Sequence, residues 1–327
     1  MKKIYIIAIV AVSVIAAIFL FYQFKGDSYK KTLEKVKAYD HYELICDMEM
    51  VQNDELKSYE VTVDYLKTKK KEYYKVELYD KSINQAQIII KNNDGVYVLT
   101  PTLNQIFKFQ SDWPNNSPKP YIYASLLKLL EDNEVEKIDE GYQVEGKITL
   151  PNDDRIVKEE VIFDKQLHPL RVTCLDKDET ELIIVNVKEF NIKKNIKTSA
   201  FDQDAVLKDA KENYQSVMSS DILYPVVDLG SYLESETVST VEGDQNHVLR
   251  FTGEKNFTII ESPEVQDEAV VNVVDDEIID MVDGFAYYND NKLSMMNTGM
   301  MCSIYSHDLS KQEMIAVLTS MQSSTTK

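Results

Sequence analysis

Three short apolar runs separated by turn residues, at 88–114, constrain the fold more than any other part of the sequence. The first run ends at 92–95 (NNDG), residues that tolerate positive φ and so favour a tight hairpin turn. The returning segment 96–100 alternates like a strand, and Pro101 ends it because proline cannot donate to a ladder. With a third run at 106–110, the stretch predicts a three-stranded meander.

Two residues of this meander carry specific expectations. Trp113, the only tryptophan of the chain, is expected in the core. Gly95 is expected in the hairpin turn, where a Cβ would strain a positive-φ conformation.

Further strand-like runs lie on both sides of the meander. Short turns in series between such strands imply an antiparallel, strongly curved sheet. The strands are too few for a wide closed barrel, so an open half-barrel is the most economical architecture. The runs are 42–51, 58–66, 72–78, 142–150, 156–163, 170–175 and 180–190.

An apolar segment at 121–131 (YIYASLLKLLE) predicts a short helix after the meander. Its large apolar residues fall on one helical face, whereas Lys128 points elsewhere. We expect this face to lie on the concave side of the sheet, across from side chains of the meander. The resulting candidate ligand groove consists of Val98, Phe107, Phe109, Tyr123, Leu126, Leu127 and Leu130.

The run NNDGVYVLTPTLNQIFKFQSDWP at 92–114, and above all the extension FKFQSDWPNN at 107–116, resembles the LolA-like proteins of spore-forming bacteria. These are the YdcC-type sporulation proteins and the proteins related to the germination lipoprotein GerS. The resemblance implies a LolA-like half-barrel plugged by helices and a role in lipid or lipoprotein handling. It also implies a role in spore envelope or cortex maturation. The candidate partners are an acyl chain, a cortex-processing amidase or another envelope protein.

The segment 4–22 is apolar apart from Ser13 and its tyrosine hydroxyls, and it follows Lys2 and Lys3. Its length suits a hydrocarbon core of about 30 Å. No small-x-small cleavage site and no lipobox cysteine follow it, which favours an uncleaved single-pass anchor over a cleaved signal peptide. The resemblance places the bulk of the chain on the extracytoplasmic side of the cell membrane.

Beyond a linker at 193–199, Asp202 is placed to cap a helix over 203–218, and strand-like runs follow. Ser310 and Glu313 have the spacing of a capping box, with Met314, Ile315, Val317, Leu318 and Met321 as the apolar face of a last helix. We therefore expect a small α+β unit of βαβ-like form at the C-terminus. The predicted domains are an anchor at 1–27, a half-barrel at 28–198 and the C-terminal unit at 199–327.

Composition excludes some functions. A formal net charge of −19 argues against nucleic acid, whose backbone needs a basic surface. Cys46, Cys174 and Cys302 are far apart and form no C-x-x-C pair, so a zinc or redox motif is unsupported. Cys46 and Cys174 lie in strand-like runs and could pair in an oxidising compartment, but three buried thiols are favoured. No motif predicts a cofactor. The acidic stretch 261–283, which contains no lysine or arginine, lacks the spacing of a calcium loop and favours a solvated face.

The leading hypothesis is a membrane-anchored, non-enzymatic protein that binds an apolar ligand or a partner protein. One alternative is a structural scaffold whose groove is filled by its own side chains. A second alternative is a hydrolase that uses His307 and nearby acids, although His307 and Asp308 fit turn residues before a helix better.

Overall fold

The computed structural model describes residues 29–52, 55–111, 113–114, 117–214, 222–241, 244–262, 270–273, 276–297 and 299–323. Most of them lie in antiparallel β-sheet, with a few short helices, as the sequence predicted. The predicted anchor at 4–22 lies outside the described residues. Within the described part of the chain, no helix is both long and apolar enough to cross a membrane.

The first sheet is built from the strands that precede residue 192, joined by one later strand. Strands that follow one another along the chain and lie side by side in this sheet pair in antiparallel fashion. Strand β1 pairs with both β2 and β11. The strands are β1 (His41–Gln52), β2 (Glu55–Lys67), β3 (Glu72–Asp80), β4 (Gln85–Lys91), β5 (Val96–Thr100), β6 (Gln105–Phe109), β7 (Val135–Lys137), β8 (Gly141–Lys147), β9 (Ile156–Asp164), β10 (Pro169–Asp176) and β11 (Glu181–Asn191).

The second sheet contains seven antiparallel strands in the order β13-β14-β15-β20-β19-β18-β17. Two short strands, β12 and β21, pair with each other beside it. The remaining strand, β16, leaves the second unit and pairs in parallel with β6, so it extends the first sheet at that edge. The strands are β12 (Leu223–Pro225), β13 (Ser231–Val241), β14 (Asp244–Gly253), β15 (Phe257–Ser262), β16 (Val270–Val273), β17 (Glu277–Met281), β18 (Gly284–Asn289), β19 (Lys292–Asn297), β20 (Met300–Tyr305) and β21 (Met321–Ser323).

The predicted meander is present as β4, β5 and β6, and the backbone N–H of Asn92 donates to the carbonyl of Gly95 across its first turn. Ile89 lies in the main core, whereas Ile88 and Ile90 face the opposite side of the sheet. Both faces of these strands are buried, which explains why the run is continuously apolar rather than alternating. Trp113 is buried in the main core, as predicted.

Four α-helices are described: α1 (29–37), α2 (Tyr123–Asp132), α3 (Gln203–Asn213) and α4 (Lys311–Thr319). Helices α1 and α2 contribute to the main core, and α3 covers the outer face of the meander through Leu207 and Ala210. Because α3 follows the predicted boundary at 198 yet packs on the first sheet, the two units share a buried surface. The division into domains at 198 stays a prediction.

The predicted caps are confirmed. The side chain of Asp202 accepts from the N–H of Ala205, and Ser310 and Glu313 form a reciprocal capping box. Helix α3 ends at Asn213, because Tyr214 is already extended. Residues 215–218 of the predicted helix lie outside the described part. Met321 belongs to β21 and not to the last helix, a correction to the predicted apolar face.

The βαβ-like form expected at the C-terminus is wrong, since all neighbouring strands of the second sheet are antiparallel. Strand β13 escaped the sequence analysis because residues 232–240 are exposed on both faces, so hydrophobicity does not alternate there. The three cysteines are free and buried, and burial raises the pKa of each thiol.

Gly95→Val is expected to lower the free energy of unfolding by more than about 1 kcal/mol. Gly95 has φ +147°, and a Cβ at this position would lie 3.1 Å from the carbonyl oxygen of Phe109. Chemical denaturation measures the loss, with Asp94→Ala in the same turn as a control that stays within about 0.5 kcal/mol of wild type. An unchanged midpoint for Gly95→Val would contradict the turn and the register of all three strands.

Candidate functional site

Helix α2 turns its predicted apolar face into the main core. Tyr123, Leu126, Leu127 and Leu130 are all buried, whereas Lys128 is exposed on the opposite face. This is the arrangement that the 3.6-residue spacing predicted.

Aromatic rings lie beneath the N-terminal end of α2. The ring of Tyr123 packs edge-on against Tyr42 and Phe190, with centroid distances of 5.4 and 4.8 Å. The hydroxyl of Tyr123 donates to the carbonyl of Leu167 at 2.8 Å. Tyr42 in turn stacks on Tyr65 at 4.9 Å, so the rings continue across the sheet. The helix therefore closes over an apolar layer supplied by β1, β2 and β11.

The meander residues of the predicted groove lie in the same core but have different neighbours. Val98 and Phe109 are buried, and Phe107 is partly buried at the margin of the core. Phe109 contacts Phe285 at 5.6 Å, and Phe107 contacts Tyr287 at 5.0 Å, both on β18. The seven predicted residues therefore belong to one apolar cluster, and their role in ligand binding stays a prediction.

Helix α2 has few of the features that usually hold a helix in place. Ile122 at its N-cap makes no side-chain capping bond, and neither end carries a charge that complements the helix dipole. Glu131 forms an exposed ion pair with Lys37, which contributes little in water. The buried apolar face and the Tyr123 hydroxyl supply the main attachment.

Gly146 on β8 allows the C-terminal half of α2 to approach the sheet. A Cβ at Gly146 would lie 2.7 Å from a methyl carbon of Leu129. Glu159 on β9 is directly opposite Gly146 in the ladder and is buried. Burial raises the pKa of Glu159 from 4.5 to about 7. A carboxyl group that is partly protonated near neutral pH thus lies beside the contact between α2 and the sheet.

Glu159→Gln is expected to remove a pH dependence of stability. Because the pKa of Glu159 is raised on folding, the folded state binds the proton more tightly than the unfolded chain. Its contribution to the free energy of unfolding is therefore full below about pH 4.5 and is lost as pH rises to about 7, a loss on the order of 3 kcal/mol.

Denaturation of wild type and Glu159→Gln at pH 5 and pH 8 measures this difference. The variant should gain stability relative to wild type at pH 8. Glu160→Gln, a neighbouring and less buried position, is the control. Identical pH profiles for Glu159→Gln and wild type would contradict the buried carboxyl.

A turn of the second unit is inserted into the core of the first. Val282 and Phe285, at the turn between β17 and β18, are members of the main core. The hydroxyl of Tyr121 donates to the carbonyl of Val282 at 2.6 Å. Lys119, which is buried, donates to the carbonyls of Met281 and Gly284.

The charge of Lys119 is balanced at the same place. Its Nζ lies 3.1 Å from a carboxylate oxygen of Asp280 and 4.8 Å from the ring centre of Phe285. The sequence analysis missed this residue, because a lysine between two prolines is typical of an exposed loop.

The acidic stretch 261–283 differs from the solvated face that was predicted. Glu261 is fully buried and accepts from the backbone N–H of Leu223, and Asp280 faces Lys119. Residues 263–269 and 274–275 of this stretch are not described. Among the described residues, no group of three or more histidine, cysteine or acidic side chains has the geometry to hold a metal ion.

Asp308, which neighbours the His307 of the hydrolase alternative, makes hydrogen bonds that stabilise a turn. Asp308 accepts from the backbone N–H and the side-chain amide of Asn256, at 3.0 and 2.8 Å. These bonds hold the pKa of Asp308 below its usual value. This is the structural role that the sequence favoured for His307 and Asp308.

Comparison with known proteins identifies a homologue. No family model matches the chain. Sporulation protein YdcC of Bacillus subtilis (strain 168) is 29% identical over 309 residues, which cover 90% of this chain and 89% of that protein. The chain is thus a homologue of a sporulation protein, and the resemblance to YdcC-type proteins is confirmed.

Several solved structures are weakly similar. MucB in complex with MucA(peri) has a TM-score of 0.32 at 13% identity, covering 91% of this chain and 99% of that one. A putative outer membrane lipoprotein-sorting protein domain from Vibrio parahaemolyticus has a TM-score of 0.31 at 13% identity, and the match covers 54% of this chain and 97% of that chain. A chain of the complex between the CwlD amidase from Clostridioides difficile and the GerS lipoprotein has a TM-score of 0.28 at 18% identity. That match covers 53% of this chain and 96% of that chain. At these TM-scores the likeness is too weak to support a function.

Proposed function

We propose that this protein is a non-enzymatic binding protein that acts in sporulation. In this proposal residues 4–22 anchor it in the cell membrane, and the bulk of the chain lies on the extracytoplasmic side. The apolar layer beneath α2 is its binding site, for a lipid or lipoprotein acyl chain, and α2 is the plug that an acyl chain displaces. Homology to a sporulation protein over 90% of the chain supports the cellular role.

The observation that carries the binding site is the attachment of α2 by an apolar face without a side-chain N-cap. Displacing the helix exposes four large side chains, at a cost of roughly 1.5–3 kcal/mol each. An acyl chain of about a dozen methylenes recovers about 0.8 kcal/mol for each one that it buries. The free energy lost by exposing the helix face and the free energy gained by burying the acyl chain are similar, so replacing the helix by an acyl chain changes the total free energy little.

The structural scaffold is a second candidate function, because the burial of all four α2 residues favours it. In that case the same contacts are a permanent core and no ligand enters. The two functions differ in one property, which is whether the stability of α2 competes with the binding of an acyl chain.

Ala124→Glu tests this competition. Ala124 is exposed in the first turn of α2, where a carboxylate stabilises the helix by about 0.3–1 kcal/mol through its dipole. If α2 must leave for ligand to enter, a fluorescent fatty-acyl probe should bind Ala124→Glu roughly 2- to 5-fold more weakly than wild type.

Ala124→Gln, which adds the same bulk without the charge, should bind the probe like wild type. Probe affinity that is equal in Ala124→Glu and Ala124→Gln would contradict the displacement of α2. A wild-type protein that binds no probe would instead support the scaffold.

A further inference from the structure

A partly open cavity lies at the junction of the two units, away from α2. It has a volume of about 520 Å³, within the range of small-molecule sites in proteins. One wall comes from the adjacent ends of β1 and β2 and from the turn between β3 and β4. The other wall comes from the inserted turn at 281–285 and from β19. No residue of α2 lines this junction cavity.

The walls of the junction cavity are apolar over much of their surface. Leu78, Ala86, Met281 and Met295 line it and are buried. The exposed side chain of Leu56 lies at its margin. An occupant therefore needs an aliphatic portion to match these walls.

Four residues that line the same space carry buried oxygen atoms without a hydrogen-bond partner among the described residues. Gln52 and Thr100 are more than nine-tenths buried, and their side-chain oxygens have no hydrogen-bond partner among the described residues. The same holds for Oε1 of Gln87 and for Oδ1 of Asp283. Buried polar atoms are nearly always paired in folded proteins, so four such oxygens around one cavity indicate a ligand that donates hydrogen bonds.

Asp283 decides the chemistry of that ligand, because a carboxylate only accepts, whereas amide and hydroxyl groups can also donate. The hydroxyl of Tyr59 is hydrogen-bonded to the Asp283 side chain. Desolvation, together with the charge of Asp283, raises the pKa of Tyr59 well above its ordinary value. Tyr59 fixes the Asp283 carboxylate and leaves Oδ1 without a partner in the described structure.

A second acceptor, Oε1 of Gln87, lies beside the residue that follows Asp283. A Cβ on Gly284 would be 2.9 Å from Oε1 of Gln87, so the end of the Gln87 side chain rests against the residue that follows Asp283. The absence of a side chain at Gly284 keeps this corner of the cavity open.

Glu55, Lys57, Asp80 and Lys81 are the other charged residues that line the cavity, and the last two have partners of their own. Lys81 pairs with Asp47 and Glu60, at 3.6 and 3.0 Å. Asp80 accepts from both the N–H and the hydroxyl of Ser82.

We propose that the junction cavity binds a primary ammonium group carried on an aliphatic chain. An ammonium group has three donors and no acceptor, and its charge matches Asp283. The aliphatic chain matches the leucine and methionine walls. This site is independent of the acyl site proposed beneath α2, and either can exist without the other. A free alkylamine and a lysine side chain of a peptide share this chemistry.

Calorimetric titration of the full-length protein in lipid nanodiscs tests the site, with the heat of empty nanodiscs subtracted. The probes are n-hexylammonium, 1-hexanol and hexanoate, which share one aliphatic length. The site predicts that n-hexylammonium binds at least 10-fold more tightly than the other two. Equal affinity for all three probes, or binding of none, would overturn the proposal.

A peptide with a single lysine, compared with the same peptide carrying norleucine, separates the two sources. Tighter binding of the lysine peptide than of n-hexylammonium indicates that the ligand is a peptide side chain. Weaker binding indicates a free amine.

Asp283→Asn keeps an acceptor for Tyr59 but removes the charge. It should lose at least 10-fold in affinity for n-hexylammonium and bind 1-hexanol unchanged, with its fold checked by circular dichroism. Asp80→Asn makes the same charge change in the same wall and should bind n-hexylammonium within about 2-fold of wild type. Gly284→Ala, which places a methyl group against Gln87, should weaken the ammonium as well. Wild-type affinity for n-hexylammonium in Asp283→Asn contradicts the proposed site.

Discussion

Lys119→Met is expected to lower the free energy of unfolding by about 3–5 kcal/mol, a large fraction of the stability of an ordinary protein. The Lys119 ammonium is buried between the Asp280 carboxylate and two carbonyls of the inserted turn. Methionine fills a similar volume but leaves those carbonyls without their donor and the carboxylate without its cation. Chemical denaturation followed by circular dichroism measures the loss.

Lys128→Met is the matched control, because Lys128 is exposed on α2 and its replacement should change stability by less than about 0.5 kcal/mol. Asp280→Asn combined with Lys119→Met should recover part of the loss, since the uncompensated charge is then removed. A Lys119→Met protein as stable as Lys128→Met would contradict the insertion of the turn into the core.

Leu127→Asp is the second change with a large expected effect, a loss of at least about 3 kcal/mol in the free energy of unfolding. Leu127 is buried in the apolar face of α2, so a carboxylate at this position is placed among apolar side chains. Lys128→Asp places the same charge one residue along on the exposed face and should leave the fold intact.

The response of Leu127→Asp also separates the two functions considered for α2. If the helix is a displaceable plug, the variant keeps its sheet, as seen by circular dichroism, and binds the fatty-acyl probe more tightly than wild type, because its docked helix is weakened. If the helix is permanent core, the first unit unfolds. A folded Leu127→Asp protein that binds the probe like wild type would contradict both, and α2 would then be a surface element.

Local patterns predicted the elements whose signals lie within a few residues of one another. The hairpin at 92–95, the face of α2 and the capping box at Ser310 each depend on short-range spacing and were found. The four α2 residues of the candidate groove were correctly predicted to share one buried face, because a helical face is set by the 3.6-residue repeat. Their role in ligand binding stays a prediction.

Short-range sequence patterns did not predict contacts between distant parts of the chain. Tyr121 bonds to a carbonyl 161 residues away, and β16 joins the first sheet beside β6. Lysine is usually exposed, so the sequence did not indicate that Lys119 is buried. Its burial is possible because the other unit supplies the groups that compensate its charge. For the same reason Phe107 and Phe109 have neighbours on β18 that the sequence did not indicate.

Photo-crosslinking of a diazirine-tagged fatty acid to the full-length protein in membranes, followed by peptide mapping, tests the central claim most directly. A displaceable plug predicts labels on α2 and on the residues beneath it, Tyr42 and Phe190, and weaker labelling in Ala124→Glu than in Ala124→Gln. Labels confined to residues 4–22, with none on α2 or beneath it, would contradict an acyl-binding site in this protein.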